Sequence, residues 1–277
     1  MSTQHLRGAV LGSPIAHSLS PLLHKAAFKS LGITGEYTAI EVSGGGLQKF
    51  LEERGSEFDY LSLTMPLKEE VLELQSSDKV NVKVDELGKR IQSINTLVKT
   101  GDVWSATSTD GSGFVKSLVN AGYDRFERVL VLGAGGTARA VAGALDDIAT
   151  SVDVMRRSVR RSPAIADCFQ KIECSFLDWD DCVDLSSYDL VVNTTPSGAA
   201  DLVADNLSRN IKGLLFDVLY KPWPTLLARR WSDSGGKTIS GLELLLYQGI
   251  DQLSLVTDFA GKAIDKDLRL ALANATN

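Results

Sequence analysis

Residues 128–138, Arg-Val-Leu-Val-Leu-Gly-Ala-Gly-Gly-Thr-Ala, constrain the fold more than any other stretch of the chain. Arg128–Leu132 is a compact branched run of the kind buried on both faces of a parallel sheet. It ends in Gly133-Ala134-Gly135-Gly136-Thr137-Ala138, and an alanine-rich segment of helical character follows to about Leu145. Gly133 permits a tight turn, Gly135 lets the backbone approach a pyrophosphate, and Ala138 stands where only close helix–strand packing is needed. The helix N-terminus offers free N–H groups and a partial positive charge to phosphates. All six loop residues are therefore candidate contacts to a dinucleotide. The alternative is a glycine-rich turn in a protein that binds no nucleotide, and the strand–turn–helix setting argues against it.

The strand that follows distinguishes two cofactors. An NAD site places Asp or Glu about 20 residues beyond the loop, on the ribose 2′-hydroxyl. Here the strand Val152–Met155 is followed by Arg156-Arg157-Ser158, with Arg160 and Arg161 close behind. Guanidinium groups bind a 2′-phosphate in bidentate fashion, so the cluster favours NADP. A solvated charge cluster is the plainer alternative.

Elsewhere short valine- and leucine-rich runs alternate with segments of helical period, which predicts an α/β protein with mainly parallel strands. Strands are expected at Gly8–Leu11, Tyr37–Val42, Tyr60–Thr64 and Ile94–Val98, then at Leu190–Asn193 and Leu214–Leu219, with a weaker one ending at Phe176. Helices are expected at Pro21–Leu31, with Ser20 as N-cap, at Leu47–Arg54, from near Pro66, at Gly111–Asn120, after Pro224, and over 241–259 and 262–273. Residues 78–90 fit a helix, although Val80, Val82 and Val84 also fit an alternating strand. The 277 residues suffice for two domains. The expected division is residues 1–109, completed by helices in 241–277, and a Rossmann-type domain over 110–240.

Composition excludes several classes. A net charge of −6 repels polyanions, so nucleic acid is not an expected partner. No apolar run reaches the roughly 18 residues of a membrane span, and the first residues hold no signal-peptide core. A cytoplasmic location is expected. Cys168, Cys174 and Cys182 match no zinc spacing, and only three histidines are present, so no metal is expected. Either a monomer or a homodimer is compatible with the sequence.

Candidate chemistry lies in the first part of the chain. In an extended segment the hydroxyls of Ser18 and Ser20 point the same way and suit a small carboxylate, while Ser20 also suits a helix cap. With so few histidines, Lys68 is a candidate proton donor, and Asp110, at the expected crossover, a partner that orients it. By residue type alone, Lys68 is more often a surface lysine and Asp110 a helix N-cap.

Four segments in this part resemble shikimate dehydrogenases: Gly12-Ser13-Pro14-Ile15-Ala16-His17-Ser18-Leu19-Ser20-Pro21, Leu63-Thr64-Met65-Pro66-Leu67-Lys68, Ile94-Asn95-Thr96-Leu97 and Thr109-Asp110-Gly111-Ser112-Gly113-Phe114. The resemblance continues through the glycine loop, Asn193-Thr194-Thr195-Pro196, Asp217-Val218-Leu219-Tyr220 and Gly241-Leu242-Glu243-Leu244-Leu245-Leu246-Tyr247-Gln248-Gly249. It implies an N-terminal α/β substrate domain joined to the NADP domain, with the site in a groove between them. It implies Lys68 and Asp110 as the catalytic pair, and Ser18, Ser20, Thr64, Asn95, Tyr220 and Gln248 as contacts to the carboxylate and hydroxyls of shikimate or 3-dehydroshikimate. It adds Thr194 and Gly241 to Arg156, Arg157, Ser158 and the loop as cofactor contacts. His17 has no such task.

Three segments depart from the family's usual pattern. Asn-Val-Thr reads Ser62-Leu63-Thr64, Asn-Thr-Asp-Gly reads Ser108-Thr109-Asp110-Gly111, and Asn-Arg-Thr reads Arg156-Arg157-Ser158. The implied reaction is reversible, NADP-dependent reduction of 3-dehydroshikimate. The rivals are an NAD-dependent quinate/shikimate dehydrogenase and a non-catalytic shikimate-binding sensor of the same fold.

Overall fold

A computed structural model describes residues 5–205, 207, 208, 210–259 and 264–276. It divides into two compact units, Met1–Thr109 with Leu245–Asn277, and Asp110–Leu244. The first part of the first unit runs β1 (Leu6–Gly12), α1 (Ser20–Leu31), β2 (Gly35–Glu41), α2 (Leu47–Arg54), β3 (Tyr60–Leu63), β4 (Asn81–Val84), α3 (Glu86–Ile91), β5 (Thr96–Thr100) and β6 (Val103–Thr107). The second unit runs α4 (Asp110–Asn120), β7 (Phe126–Leu132), α5 (Gly136–Leu145), β8 (Ala149–Arg156), α6 (Ser162–Ala166), β9 (Cys174–Asp178), β10 (Leu190–Asn193), α7 (Asp201–Asp205), β11 (Leu214–Asp217), α8 (Leu226–Asp233) and β12 (Lys237–Ser240). Helix α9 (Gly241–Val256) starts in the second unit, and its remainder returns to the first with α10 (Asp265–Thr276).

The first unit holds a mixed sheet in the order β2-β1-β3-β5-β6-β4. β1 is parallel to β2 and β3, β5 is antiparallel to β3 and β6, and β4 is parallel to β6. One core cluster joins Leu61, Leu63, Leu97 and Trp104 to Leu47 and Phe50 of α2. Another joins Tyr37 and Tyr60 to α1 through Leu23 and Phe28, to α9 through Leu246 and Leu253, and to α10 through Leu268. The C-terminal segment thus completes this core.

The second unit's sheet has the order β12-β11-β10-β7-β8-β9, and every pairing is parallel. The chain begins in the middle at β7, adds β8 and β9 on one side, and crosses to β10, β11 and β12 on the other. This is the Rossmann strand order, and its switch point lies between β7 and β10. Leu130, Val131 and Leu132 of β7 are fully buried, as an inner parallel strand requires.

Several expectations are corrected. Residues 78–90 are strand then helix: Val82 and Val84 of β4 are buried while Asn81 and Lys83 are exposed, a period of two. No α-helix begins near Pro66; turns lead to a 3-10 helix over Glu70–Ser76. There the Glu70 carboxylate accepts the N–H groups of Gly45 (3.0 Å) and Leu47 (2.7 Å), supplying α2 with the anion that its N-cap Gly46 lacks. Ser20 does not cap α1. The cap position is Leu19, and the Ser18 hydroxyl accepts the Ser20 N–H at 3.3 Å. The segment at Ser18 is a turn rather than an extended strand, since Ser18 N–H bonds Ile15 O at 3.0 Å. Helix α8 is capped by Thr225, whose hydroxyl accepts the Ala228 N–H at 3.0 Å. The last helix begins at Asp265; Lys262, where the sequence pattern placed its start, lies outside the described residues. Strands β6 and β12 were not anticipated.

Among the described residues, no helix is long and apolar enough to cross a membrane, and no group of three or more His, Cys, Asp or Glu side chains is arranged for a metal ion.

Candidate functional site

In the first unit the motif segments meet at one end of the sheet, where β1 and β3 end, β5 begins and β6 ends. Ser13 N–H bonds Met65 O at 3.0 Å and Thr64 N–H bonds Leu11 O at 2.9 Å, so the chain leaving β1 is stitched to the chain leaving β3. Ile94 N–H bonds Lys68 O at 2.8 Å and Leu63 N–H bonds Asn95 O at 2.8 Å, which adds the segment entering β5. Thr64 and Lys68 are half-buried, Ser20 and Asn95 buried, and Ser18 half-buried beside the start of α1. Backbone bonds between strand ends bring these segments together.

Asn95 is the best-defined member. Its Oδ1 accepts the Thr109 N–H (2.8 Å) and the Thr96 hydroxyl (2.7 Å). Its Nδ2 donates to Thr109 Oγ1 (3.1 Å) and Gln248 Oε1 (3.3 Å). The Gln248 Nε2 donates back to Leu245 O at 2.9 Å, so both amides have fixed orientation. Asn95 and Gln248, far apart in sequence, are thus brought together. One turn along α9 lies Gln252, buried and bonded to Thr96 and to Asn95 O, which the sequence analysis did not single out. Its spacing of four from Gln248 places both on one helix face, the available signal for it.

Behind this cluster lies an aromatic group. His24 is fully buried, stacked on Tyr37 with ring centroids 3.9 Å apart, and its Nδ1 bonds the Tyr60 hydroxyl at 2.8 Å. The Gln252 amide lies beside the ring, yet Nε2 has no hydrogen-bond partner of proper geometry. Burial outweighs that amide and lowers the His24 pKa from 6.5 to about 3, so the ring is neutral. Burial also pushes the Tyr37 and Tyr60 hydroxyls well above the usual tyrosine range.

In the second unit the glycine loop leaves β7 at the switch point. Gly133 has φ of +105°, and a Cβ there would lie 2.7 Å from Thr194 Oγ1. Thr194 bonds Leu132 O through both its N–H (3.0 Å) and its hydroxyl (2.7 Å), which joins the ends of β7 and β10. A Cβ on Gly135 would meet open space, and Gly135 as N-cap gives α5 no side-chain acceptor. The first-turn N–H groups of α5 therefore face a cradle that fits a phosphate.

The arginines at and beyond the end of β8 differ in their surroundings. Arg156 donates to Ser162 Oγ (2.7 Å) and Leu177 O (3.2 Å), pairs with Asp178, and lies over the Phe176 ring at 5.4 Å. Its side chain ties β8 to β9. Arg157 and Ser158 are exposed at the strand's end. Arg161, absent from the expected contacts, reaches back to Ala134 O at 3.4 Å.

Asp110 is buried at the first residue of α4. Tyr220 is half-buried in the loop after β11. Asp217 anchors that loop, accepting the Thr225 hydroxyl (2.7 Å) and the Leu219 N–H (3.1 Å). Burial raises its pKa, opposed by Thr225, Asn193 and Leu219. Gly241 closes the loop from the other side. Its N–H bonds Leu219 O at 3.1 Å, and a Cβ would lie 2.0 Å from Val218 O.

Residues 10–97 match the family described as shikimate dehydrogenase substrate binding domain. A shikimate dehydrogenase (NADP(+)) of Methanosarcina mazei is 38% identical over 264 residues, covering 90% of this chain and 91% of that protein. The crystal structure of Mycobacterium tuberculosis shikimate dehydrogenase superposes with a TM-score of 0.85 at 32% identity, over 97% of this chain and 99% of that one. A Thermus thermophilus shikimate 5-dehydrogenase, solved in complex with NADP(H) and shikimate, gives a TM-score of 0.81 at 32% identity, over 96% and 99%.

Proposed function

The chain belongs to the shikimate dehydrogenase family, and we propose that it catalyses the reversible reduction of 3-dehydroshikimate to shikimate with NADP, a step in making aromatic amino acids. The observation that carries this reading is the buried Asn95–Thr109–Gln248 cluster at the sheet end where the Ser13–Ser20 and Thr64–Lys68 segments converge. Amide donors and acceptors of fixed orientation suit a small ring bearing hydroxyls, and the serine hydroxyls of Ser18 and Ser20 suit its carboxylate. Thr64 and Tyr220 complete this substrate set.

The residues of the second unit fit the cofactor. The loop Gly133–Ala138, with Thr194 and Gly241 shaping the strand ends, would hold the pyrophosphate on the uncapped start of α5. Arg157, Ser158 and Arg161 would hold a 2′-phosphate, while Arg156 acts from behind by fixing β8 to β9. The chemistry supplied by the reduced nicotinamide when bound is a hydride. Lys68 supplies the proton from Nζ to the carbonyl oxygen as it becomes an alcohol. Asp110 orients that ammonium and accepts a ring hydroxyl. In the oxidation direction Lys68 Nζ takes the same proton back. A monomer or homodimer working in the cytoplasm completes the reading, supported by three free thiols.

The test follows reduced nicotinamide by absorbance with shikimate or quinate, each with NADP or NAD. Turnover of shikimate with NADP at least tenfold above the other pairs is expected. Preference for NAD or quinate would support the quinate/shikimate dehydrogenase rival, and binding of shikimate without turnover would support the sensor. Lys68→Ala should lose turnover by more than about a hundredfold while NADP still binds; near-normal turnover would remove Lys68 from the proton step.

A further inference from the structure

We propose that Gln252 is a positioning residue that, acting through Thr96, holds the Asn95 amide in the orientation it presents to the substrate; this rests on the function proposed above. The inference comes from following hydrogen-bond polarity through the buried network. Gln252 Nε2 lies 3.2 Å from Asn95 O, and a backbone carbonyl only accepts, so this end of the Gln252 amide must be the NH2. The same Nε2 donates to Thr96 Oγ1 at 2.9 Å. Thr96 therefore has its own proton to give, and gives it to Asn95 Oδ1 at 2.7 Å. With Oδ1 accepting from Thr96 and Thr109 N–H, the Asn95 NH2 is turned toward Gln248 and Thr109 Oγ1.

The other end of Gln252 obeys the same logic. Its Oε1 accepts the only proton of Ser62 at 2.8 Å, so the Tyr37 hydroxyl must donate to Ser62, at 2.6 Å. Tyr37, Ser62, Gln252, Thr96 and Asn95 thus form one directed chain of donors. The direction is fixed at two backbone groups: Asn95 O, which only accepts from Gln252, and Thr109 N–H, which only donates to Asn95 Oδ1. Tyr37 and Ser62 follow it and do not set it. The Asn95 NH2 consequently points to Thr109 Oγ1 and Gln248 Oε1, and a ligand oxygen that takes the place of either must be an acceptor. An inverted Asn95 amide would place its oxygen there and repel the same oxygen.

Three variants separate positioning from general support. Gln252→Met keeps the bulk and removes both N–H groups; Gln252→Glu keeps the shape and likewise lacks them. Tyr37→Phe breaks the chain at its far end and leaves Gln252 and its donors in place. Each is assayed for KM and kcat with shikimate, and for KM with NADP, well below its melting temperature. Deuterium exchange at the Thr109 amide, which bonds Asn95 Oδ1, is read in parallel without substrate. Both Gln252 variants should raise the shikimate KM at least tenfold, with the NADP KM within twofold, and speed Thr109 exchange at least tenfold. Tyr37→Phe should leave both readouts within twofold even where its melting temperature falls. A shikimate KM within twofold of wild type in Gln252→Met, or Thr109 exchange equally fast in Tyr37→Phe, overturns the proposal. If the unsubstituted protein does not turn over shikimate, the proposed function fails. The exchange readout still decides whether Gln252 orients Asn95.

Discussion

His24 should make the first unit sensitive to acid in a manner that can be calculated. Its ring is fully buried against Tyr37, and its pKa falls from 6.5 to about 3. An unfolded chain takes up the proton below about pH 6.5, whereas the folded chain refuses it until near pH 3. Acid therefore draws the equilibrium toward the unfolded state, which binds more protons. The contribution of the neutral ring is complete above pH 6.5 and is lost as pH falls through the window between the two values. Between pH 8 and pH 5 the protonated range spans roughly 1.5 units at ~1.4 kcal/mol each, a loss of about 2 kcal/mol. The comparison is urea unfolding of wild type and His24→Gln at both pH values. A brief deuterium pulse at one fixed pH, read on peptides from β1 and β3, confines the measurement to this unit. Carboxylates titrate alike in both chains and cancel. Wild type should lose about 2 kcal/mol more than the variant on going to pH 5. Equal losses would mean that the ring is charged, or is exposed, in the folded chain.

Two further outcomes follow from the second unit. Arg157→Ala should raise the KM for NADP at least tenfold and leave that for NAD nearly unchanged, whereas Arg156→Ala should instead cost on the order of 2 kcal/mol of stability by freeing Asp178 and Ser162; cofactor titrations and urea midpoints separate the two. Gly241→Ala forces a methyl to within 2.0 Å of Val218 O and should cost ~3 kcal/mol, so an unchanged urea midpoint would show that the backbone yields there freely.

The elements most legible in the sequence are those whose signal is local. β7, the glycine loop and α5 occupy consecutive residues, and the strand is buried on both faces, so composition, turn chemistry and packing agree. β4 was ambiguous because its valines satisfy two periods, and only its place beside β6 selects one. The segment after Pro66 was misread because Leu67, Val71 and Leu74 are spaced for a helix of either kind, while its Glu70 carboxylate is held by α2. The site divides similarly. Asn95 and Gln248 were recognisable from their motifs, but the network that holds Asn95 joins Thr96, Thr109 and Gln252 across distant parts of the chain. Ser62 was noticed only as a departure from the family's pattern. The pairing of Arg156 with Asp178 lies across neighbouring strands, which no local spacing discloses.

The discontinuity of the first unit bears on its synthesis. Its core needs Leu246, Leu253 and Leu268, and its polar chain needs Gln252, yet all four are translated after the whole of Asp110–Leu244. At about 5–20 residues per second, the ribosome leaves the face of Tyr37, Tyr60 and Phe28 uncovered for roughly ten to thirty seconds. Meanwhile the second unit, contiguous in sequence, already has every strand of its sheet. A nascent chain of this kind presents the earlier sheet to chaperones first and finishes it last.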